Sequence, residues 1–259
     1  PTYSDYKDAC LMYHIDFEHY FSKASNSFSP DVDELSQMAD GADTVFICNP
    51  DNPTGALMIR DKIEYLLKKH HTTVFIIDES YLPFVENAED ISLVSETGYE
   101  NLIVLSSMSK IYRIPGLRTG FLSADPKIVE KMMAYYQPWS VNALAQAVIQ
   151  HIFDHSEEIA PFFRKTRTYV KAERQRFKER LEGVKGIELF DSSACFILAR
   201  LQEGLTSGEF CRKIGQHRIL IRDCSNFLGL SDQYVRFSLK KQETNDLLST
   251  LIRQVMEND

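Results

Sequence analysis

The sequence predicts an α/β protein in which a mainly parallel sheet is followed by a smaller α+β domain. In the first half, short and uniformly apolar runs alternate with helical patterns, as in parallel sheets covered on both faces. In the second half, further strands alternate with amphipathic helices. A chain of 259 residues can bury two such cores. We place the boundary near residue 145, with a large domain over 1–145 and a small domain over 146–259.

The large domain is predicted from apolar runs and from the charges that flank its helices. PDVDELSQM (30–38) has an acidic first turn and MIRDKIEYLLKKH (58–70) a basic last turn, which complement the helix dipole. The opening PTYSDY is typical of the interior of a protein, so we expect part of this domain to precede it. The predicted strands are LMYHI (11–15), TVFIC (44–48), TVFIID (73–78), NLIVLS (101–106) and GFLSA (120–124).

The small domain is predicted to contain four strands among long helices. Helical patterns at about 126–137 and 141–153 bridge the two domains at the boundary, and a long charged amphipathic helix covers about 158–183 within the small domain. Two shorter helices are predicted at about 207–217 and 242–257. The strands are IELF (187–190), CFILARL (195–201), ILIR (219–222) and YVRFSL (234–239).

Composition excludes several classes of function. The formal net charge of −8 argues against nucleic acid or an anionic membrane as the main partner. No run of 18 apolar residues and no signal-peptide pattern is present. Five scattered cysteines without CxxC spacing favour reduced thiols and a cytoplasmic location. Seven histidines show no ligand spacing, so we predict no metal.

Polar side chains follow three successive predicted strands of the large domain. Asn52 follows TVFIC, Asp78 and Tyr81 follow TVFII, and Ser107 and Lys110 follow NLIVL. In open parallel sheets, ligands bind beyond the carboxyl ends of the strands. Taken singly, Asp78 could cap a helix and the NPTG sequence could be only a turn. Together, in this order, they favour a binding site.

These residue types match what pyridoxal 5′-phosphate requires. A lysine amine must form a Schiff base with the aldehyde, and a carboxylate must keep the pyridine nitrogen protonated. Neutral donors must hold the phenolic oxygen, and hydroxyls with an arginine must hold the phosphate. The three strand ends offer groups of each kind.

Three motifs carry a resemblance over nearly the whole chain: NPDNPTG, DESY after a strand, and SxSK followed by Arg118. With these motifs, the chain resembles fold-type I pyridoxal-phosphate enzymes of the aminotransferase class I and II superfamily. The resemblance implies the aspartate aminotransferase fold, with a seven-stranded type of mainly parallel sheet that is N-terminally incomplete here. It also implies a homodimer.

The resemblance assigns roles to the residues at the strand ends. Lys110 would be the Schiff-base lysine and would move protons once substrate displaces it. Asp78 would pair with the pyridinium nitrogen, and Asn52 and Tyr81 would hydrogen-bond the phenolic oxygen. The remaining cofactor contacts would come from Tyr3, which would stack on the ring, and from Ser107, Ser109 and Arg118, which would hold the phosphate.

Two arginines of the small domain are candidates for substrate binding. Arg236, in YVRFSL, matches the family arginine that grips the substrate α-carboxylate, which a guanidinium fork fits better than an ammonium. Arg222 lies on the neighbouring predicted strand, where relatives with phosphorylated substrates have an arginine for the distal phosphate. A surface ion pair for Arg236 and a structural role for Arg222 are the alternatives.

Two stretches narrow the resemblance. PWSVNALAQ (138–146) and IRDCSNFLGLSDQYVRFSLK (221–240) resemble L-threonine O-3-phosphate decarboxylases of cobalamin biosynthesis, whose relatives are the histidinol-phosphate aminotransferases. The implied substrate is a small phosphorylated amino acid, which a decarboxylase would convert to (R)-1-amino-2-propanol phosphate. An aminotransferase is the first alternative, and a non-catalytic, ligand-sensing module of this fold is the second.

Overall fold

A computed structural model describes residues 1–96, 98–202 and 204–257. The chain forms two compact units. The unit that holds both ends of the chain, here called the terminal unit, contains Pro1–Ser29, Asp51–Leu57 and Thr168–Asp259. The central unit contains Pro30–Pro50 and Met58–Arg167. Two segments that the sequence analysis assigned to the large domain therefore belong to the terminal unit, and the boundary near residue 145 stays a prediction.

Within the described residues, the strands form two sheets of four strands each. One is the mixed sheet of the central unit, and the other is the antiparallel sheet of the terminal unit. In chain order the strands are β1 (Thr44–Cys48), β2 (Val74–Asp78), β3 (Leu102–Ser107), β4 (Gly120–Ala124), β5 (Ile187–Leu189), β6 (Phe196–Leu201), β7 (Arg222–Asp223) and β8 (Tyr234–Ser238).

Helices surround these strands. None of them, within the residues that the structure describes, is long and apolar enough to cross a membrane. In chain order the helices are α1 (Ser4–Met12), α2 (Val32–Ala39), α3 (Arg60–Lys69), α4 (Ala88–Ile91), α5 (Met108–Ile111), α6 (Pro126–Met133), α7 (Ala143–Asp154), α8 (Ser156–Leu181), α9 (Ser207–Gly215) and α10 (Gln242–Glu257).

The mixed sheet has the order β1-β2-β3-β4, with β1, β2 and β3 parallel and β4 antiparallel to β3. Phe75 and Ile77 on β2 are fully buried, as expected for a strand with neighbours on both sides. Ile63 and Leu66 of α3 are buried as well. The predicted fold class, and the strands at 44–48, 73–78, 101–106 and 120–124, are confirmed.

The antiparallel sheet has the order β5-β6-β8-β7. One core of buried side chains joins α8, α9 and α10 to the sheet, and it includes Phe177, Phe210 and Phe237. A second cluster joins Phe28, from the N-terminal segment, to Phe190 and Tyr234, along with Leu198, Cys224 and Phe227. The strand predicted at 219–222 is shorter than expected, because only Arg222 and Asp223 pair with β8.

Local sequence explains where several helices begin. The Asp31 carboxylate accepts hydrogen bonds from the backbone N–H groups of Asp33 and Glu34 and so caps α2. Thr206 and Glu209 form a capping box at the start of α9. These caps satisfy backbone donors that a helix leaves without partners at its N-terminus.

The strand predicted at LMYHI (11–15) is wrong. Helix α1 extends to Met12, and the N–H groups of Tyr13 and Ile15 donate back to the carbonyls of Ala9 and Cys10. The apolar side chains of this stretch are exposed rather than packed in a sheet. A strand needs a neighbour for its backbone groups, whereas here the end of the helix satisfies two of them locally.

Candidate active site

The carboxyl ends of the parallel strands bring candidate residues together at one edge of the mixed sheet. Asp78, the last residue of β2, is in register with Cys48 on β1 and with Leu105 on β3. Ser107 ends β3 two residues later. The structure therefore places the carboxylate of the DESY motif and the first serine of the SxSK motif, Ser107, on neighbouring strand ends.

Asp78 and Tyr81 lie on a turn with a well-defined backbone. The Asp78 carbonyl accepts a hydrogen bond from Asn49 N–H at 2.8 Å, and its Oδ1 accepts one from Ser80 N–H at 2.9 Å. Tyr81 directly precedes the 3-10 turn Leu82–Phe84. The Asp78 side chain is half-buried, so one carboxylate stands at the strand end with its backbone fixed.

Lys110 lies in α5, the short helix that follows β3. Ser107 caps this helix, since its Oγ accepts a hydrogen bond from Ser109 N–H at 3.2 Å. Lys110 is exposed, and its Nζ lies 5.9 Å from the centre of the Tyr81 ring. The candidate Schiff-base lysine and the candidate phenol therefore share one edge of the sheet.

Arg118 lies on the loop between α5 and β4. It has a left-handed backbone conformation with φ of 53°, and its Nη1 donates to the Pro115 carbonyl at 3.4 Å. Gly120 follows, where a Cβ would lie 2.5 Å from the Ser106 carbonyl oxygen. Only glycine permits this close approach of the returning chain. The exposed Arg118 guanidinium keeps other N–H groups for an anion.

Asn52 lies in the terminal unit, on the turn formed by the NPDNPTG motif. Gly55 has φ of +74°, and a Cβ there would lie 2.0 Å from Ser192 Oγ, so the position requires glycine. Thr54 Oγ1 donates to the buried Asp51 carboxylate at 2.7 Å. Burial raises the pKa of Asp51, and hydrogen bonds from threonine hydroxyls oppose that rise. The turn that carries Asn52 is thus internally fixed.

Arg236 on β8 contacts Asn52 directly. Its Nη1 donates to Asn52 Oδ1, and its guanidinium carbon lies 4.6 Å from the centre of the Phe196 ring. Its Nε is buried and has no hydrogen-bond partner in the part of the chain that the structure describes. A buried N–H without a partner is costly, so a further acceptor is expected at this group.

Arg222 on β7 lies directly opposite Arg236 in the antiparallel pairing. Its Nη2 donates to Asn226 Oδ1 at 2.9 Å, and its guanidinium carbon lies 5.3 Å from the centre of the Phe227 ring. Residues directly opposite in such a pair project from the same face of the sheet. The two candidate substrate arginines therefore lie side by side, each held by an asparagine and an aromatic ring.

Tyr3 also belongs to the terminal unit. It precedes α1, is 39% exposed, and contacts the Tyr6 ring edge-to-face at 5.7 Å between centres. Tyr3 and Asn226 line one cavity of about 440 Å³. The structure thus places Tyr3, Asn52, Arg222 and Arg236 in the terminal unit.

Three neighbours of these residues were missed by the sequence analysis. Asn49 pairs its side-chain amide with both backbone groups of Met58, at 2.9 and 2.8 Å. Asn226 holds Arg222, and Glu79 is a buried carboxylate beside Asp78. Only Glu79 left a signal, because it continues the alternate buried positions of β2.

The residues present fit pyridoxal 5′-phosphate. Arginine only donates, so the Asn52 oxygen faces Arg236 and its NH₂ group remains a donor for a phenolic oxygen. Ser107 Oγ accepts from Ser109 N–H and keeps its own proton for an anion. Within the described residues, no group of three or more histidine, cysteine or acidic side chains could hold a metal ion.

Comparison with known proteins gives consistent results. Residues 1–252 match the family model described as aminotransferase class I and II. The crystal structure of L-threonine-O-3-phosphate decarboxylase from Porphyromonas gingivalis is similar with a TM-score of 0.88 and 32% identity, over 99% of this chain and 75% of that one. The histidinol-phosphate aminotransferase of Clostridium acetobutylicum gives a TM-score of 0.91 and 27% identity, over 100% and 77%.

A relative by sequence agrees with these structures. The histidinol-phosphate aminotransferase of Ruminiclostridium cellulolyticum is 30% identical over 250 residues, which cover 96% of this chain and 67% of the relative. The similarity extends over both compact units, because the match to the family model runs from residue 1 to residue 252.

Proposed function

The chain belongs to the aminotransferase class I and II family, whose enzymes depend on pyridoxal 5′-phosphate, and on this premise we propose that it decarboxylates L-threonine O-3-phosphate. The proposal is supported by the likeness to a threonine-phosphate decarboxylase at 32% identity. The observation on which it mainly depends lies in the terminal unit, where Arg222 on β7 stands opposite Arg236 on β8.

Two arginines opposite each other repel unless an anion lies between or beside them. In the described part of the chain, neither Arg222 nor Arg236 has a carboxylate within ion-pair distance; each donates instead to a neutral asparagine oxygen. No carboxylate of the described residues therefore compensates the positive charge of either guanidinium group. A substrate with a carboxylate and a phosphate would satisfy both, with Arg236 on the carboxylate and Arg222 on the phosphate.

The residues of the central unit would bind the cofactor. Ser107, Ser109 and Arg118 would hold its phosphate with charge-assisted hydrogen bonds. Asp78 would hold a proton at the ring nitrogen. When bound, pyridoxal 5′-phosphate supplies an electron sink for the bond that breaks at Cα. Tyr81 would donate to the phenolic oxygen.

The family resemblance assigns two further cofactor contacts, to Asn52 and Tyr3. Asn52 would donate its NH₂ group to the same phenolic oxygen, while its own oxygen stays bound to Arg236. Tyr3 would stack on the ring. The hydrogen bond between Arg236 and Asn52 would thus connect a residue that binds substrate to a residue that binds the cofactor.

Lys110 would act twice. Its amine would first attach the cofactor covalently, and after substrate replaces it, the free amine would lie near the reacting carbon. In the proposed reaction the bond between Cα and the carboxylate would break, carbon dioxide would leave, and Lys110 would deliver a proton to Cα. The product would be (R)-1-amino-2-propanol phosphate, an intermediate for cobalamin synthesis under this proposal, and the enzyme would work as a homodimer.

A histidinol-phosphate aminotransferase is the second candidate, favoured by the TM-score of 0.91 with an enzyme of that name. Its substrates also carry a phosphate or a carboxylate, which the same two arginines could bind. The two reactions differ in which bond at Cα stands perpendicular to the cofactor ring. Arg222 and Arg236 would decide this, because they hold the groups that orient Cα.

The direct test is incubation of the holoenzyme with L-threonine O-3-phosphate. We expect release of carbon dioxide without 2-oxoglutarate. Amino transfer from histidinol phosphate to 2-oxoglutarate, without carbon dioxide, would instead favour the second candidate. Cofactor binding without turnover of either substrate would favour a ligand-sensing module.

Substitution of Lys110 tests the cofactor site itself. Lys110→Ala removes the amine, so we expect the visible absorption of bound cofactor to disappear and turnover to fall by about 10⁴-fold or more. Lys69→Ala, on the last turn of α3, is the matched control for loss of a lysine and should leave both unchanged. Full activity of Lys110→Ala would refute the assignment of this edge of the sheet.

A further inference from the structure

Glu79 is a buried carboxylate with no part in the proposed chemistry. It follows Asp78 and is 4% exposed. Along β2, Phe75 and Ile77 are fully buried, and Glu79 occupies the next position on the same face. An ionisable group at a core position is costly unless it is hydrogen-bonded, so its retention there needs a physical reason.

The Glu79 carboxylate accepts two hydrogen bonds from a single turn. Ser92 Oγ donates to Oε2 at 2.6 Å, and Leu93 N–H donates to Oε1 at 2.7 Å. Burial raises the pKa of Glu79 and the nearby charge of Asp78 adds to the rise, while these two hydrogen bonds oppose it. The side chain thus fastens the end of β2 to residues 92 and 93.

That turn is itself anchored to two other elements. The Ser92 carbonyl accepts a hydrogen bond from Arg60 Nη1 of α3 at 3.3 Å. The Val94 carbonyl accepts one from Ser123 Oγ of β4 at 2.7 Å. Glu79 therefore connects the end of β2 to a support that includes both a helix and another strand of the mixed sheet.

The backbone on the other side of Glu79 leads to the candidate cofactor contacts. Glu79 N–H donates to the Leu105 carbonyl at 2.8 Å, and its own carbonyl accepts from Leu82 N–H at 2.9 Å. In the sequence, Asp78 directly precedes Glu79, and Tyr81 lies between Glu79 and Leu82, the two residues that the second of these hydrogen bonds joins. The orientation of Asp78 and Tyr81 therefore depends on how Glu79 is held.

We propose that Glu79 is a positioning residue for the cofactor: its two hydrogen bonds to the turn at 92–93 hold Asp78 and Tyr81 in their binding orientation. The proposal rests on the proposed function, because it assumes that Asp78 and Tyr81 contact pyridoxal 5′-phosphate. Removing the carboxylate leaves the buried Leu93 N–H without an acceptor and the Ser92 hydroxyl proton without its acceptor, so the turn must move to satisfy them.

The experiment compares four variants with the wild type. Glu79→Ala removes both hydrogen bonds. Ser92→Ala removes one of them and leaves Glu79 in place. Glu79→Gln keeps the shape, because its oxygen can accept from Leu93 N–H and its NH₂ can donate to Ser92 Oγ. Glu96→Gln is the matched control, since the Glu96 side chain pairs with Arg60 near the same turn, and Glu96 does not bind the Glu79 carboxylate.

Two quantities are measured for each variant. The dissociation constant of pyridoxal 5′-phosphate is obtained by titrating the apoprotein, and Tm of the apoprotein is obtained by circular dichroism. We expect the dissociation constant to rise about tenfold in Glu79→Ala and about threefold in Ser92→Ala. Glu79→Gln should stay within about twofold of wild type, and Glu96→Gln should lower Tm without changing cofactor affinity.

The visible spectrum separates positioning from mere stability. A displaced Asp78 holds the ring-nitrogen proton less well, so the pH at which the bound cofactor changes its absorption should shift in Glu79→Ala and stay in Glu96→Gln. Wild-type affinity and spectrum in Glu79→Ala would overturn the proposal. If Glu79→Ala does not fold, equal affinities of Ser92→Ala and Glu96→Gln would overturn it.

The same titrations distinguish this proposal from the proposed function. A wild-type protein that binds no pyridoxal 5′-phosphate would end both. A wild type that binds it, with Glu79 variants that bind it equally well, would end only the role of Glu79.

Discussion

The two edges of the antiparallel sheet differ in the charges that they place opposite each other. At one edge, Glu188 on β5 lies opposite Arg200 on β6, and their side chains form an ion pair at 2.5 Å. At the other edge, Arg222 on β7 lies opposite Arg236 on β8. One edge is neutral, whereas the other carries two positive charges held by asparagine oxygens and aromatic rings.

Two arginines elsewhere in the described residues show the contrasting arrangement, in which carboxylates surround the guanidinium group. Arg60 pairs with Glu64 and Glu96, and Arg176 pairs with Glu173 and Asp246. These guanidinium groups are neutralised within the protein. An arginine bound to neutral groups is oriented while its charge stays uncompensated, which suits it to bind an anion from outside. The difference separates arginines that support the fold from arginines that we assign to substrate.

The largest effect should come from Arg236, which is part of the charged edge and also binds Asn52. Arg236→Lys keeps the charge but loses the planar fork that fits a carboxylate, so kcat/KM should fall about 100-fold. Steady-state kinetics with L-threonine O-3-phosphate measures this. Arg200→Lys on the neutral edge is the control and should change kcat/KM by less than about twofold. Equal effects of the two variants would remove the distinction between the edges.

Replacing the two like charges at β7 and β8 by a pair of opposite charges, as β5 and β6 have, should have the next largest effect on kinetics. Arg222→Glu places opposite charges across β7 and β8, so KM for a phosphorylated substrate should rise about tenfold or more. The free energy of unfolding should rise by about 0.2–1 kcal/mol, because a repulsive cross-strand pair becomes attractive. Urea unfolding checks the second effect. A variant with lower stability and unchanged KM would contradict the assignment of Arg222 to the phosphate.

A substitution in the ion pair between Glu188 and Arg200 should change the stability of the protein and leave its kinetics unchanged. Glu188→Gln removes an exposed ion pair, which should cost about 0.2–1 kcal/mol in the free energy of unfolding. The kinetic constants should remain those of the wild type. A loss of activity comparable to that of Arg222→Glu would show that the sheet as a whole, rather than its charged edge, limits function.

The smallest effect is expected from a change of pH that protonates Glu64 on α3, which binds Arg60 and Lys68 of the same helix. The affected quantity is the stability of the fold. Hydrogen bonds from Arg60, then from Lys68, lower the pKa of Glu64 from 4.5 to about 2. The stability from these bonds is present above the unfolded pKa of about 4.5 and is lost as pH falls towards 2. The urea midpoint of wild type should fall over this interval more steeply than that of Glu64→Gln. Parallel curves would mean that Glu64 contributes nothing.

The elements of the mixed sheet could be predicted because their signals are local. TVFIC and TVFIID are apolar runs of strand length, and both form strands; TVFIID forms β2, which has a neighbour on each side, whereas TVFIC forms β1 at the edge of the sheet, where Phe46 is 39% exposed. LMYHI has similar composition, but the helix that begins at Ser4 continues into it. Composition alone does not say whether a short apolar run has a strand to pair with.

The contacts of the candidate site were less predictable, because they join distant parts of the chain. Asn52 and Arg236 were each singled out, but 184 residues separate them, and no local pattern indicates that they bind each other. The opposition of Arg222 and Arg236 depends on strand register, where a shift of one residue would turn one arginine to the other face. Motifs identified the residues, and only the folded chain shows which of them are paired.

The terminal unit is built from segments that lie far apart in the sequence, and this affects the order in which the two units can fold during synthesis. Phe28 packs against Phe190 and Tyr234, which the ribosome adds much later. The central unit, by contrast, is finished once Arg167 has emerged. We therefore expect its sheet to form first, while the segments Pro1–Ser29 and Asp51–Leu57 remain exposed until the last strands appear. During that interval the nascent chain presents apolar side chains on which a chaperone could act.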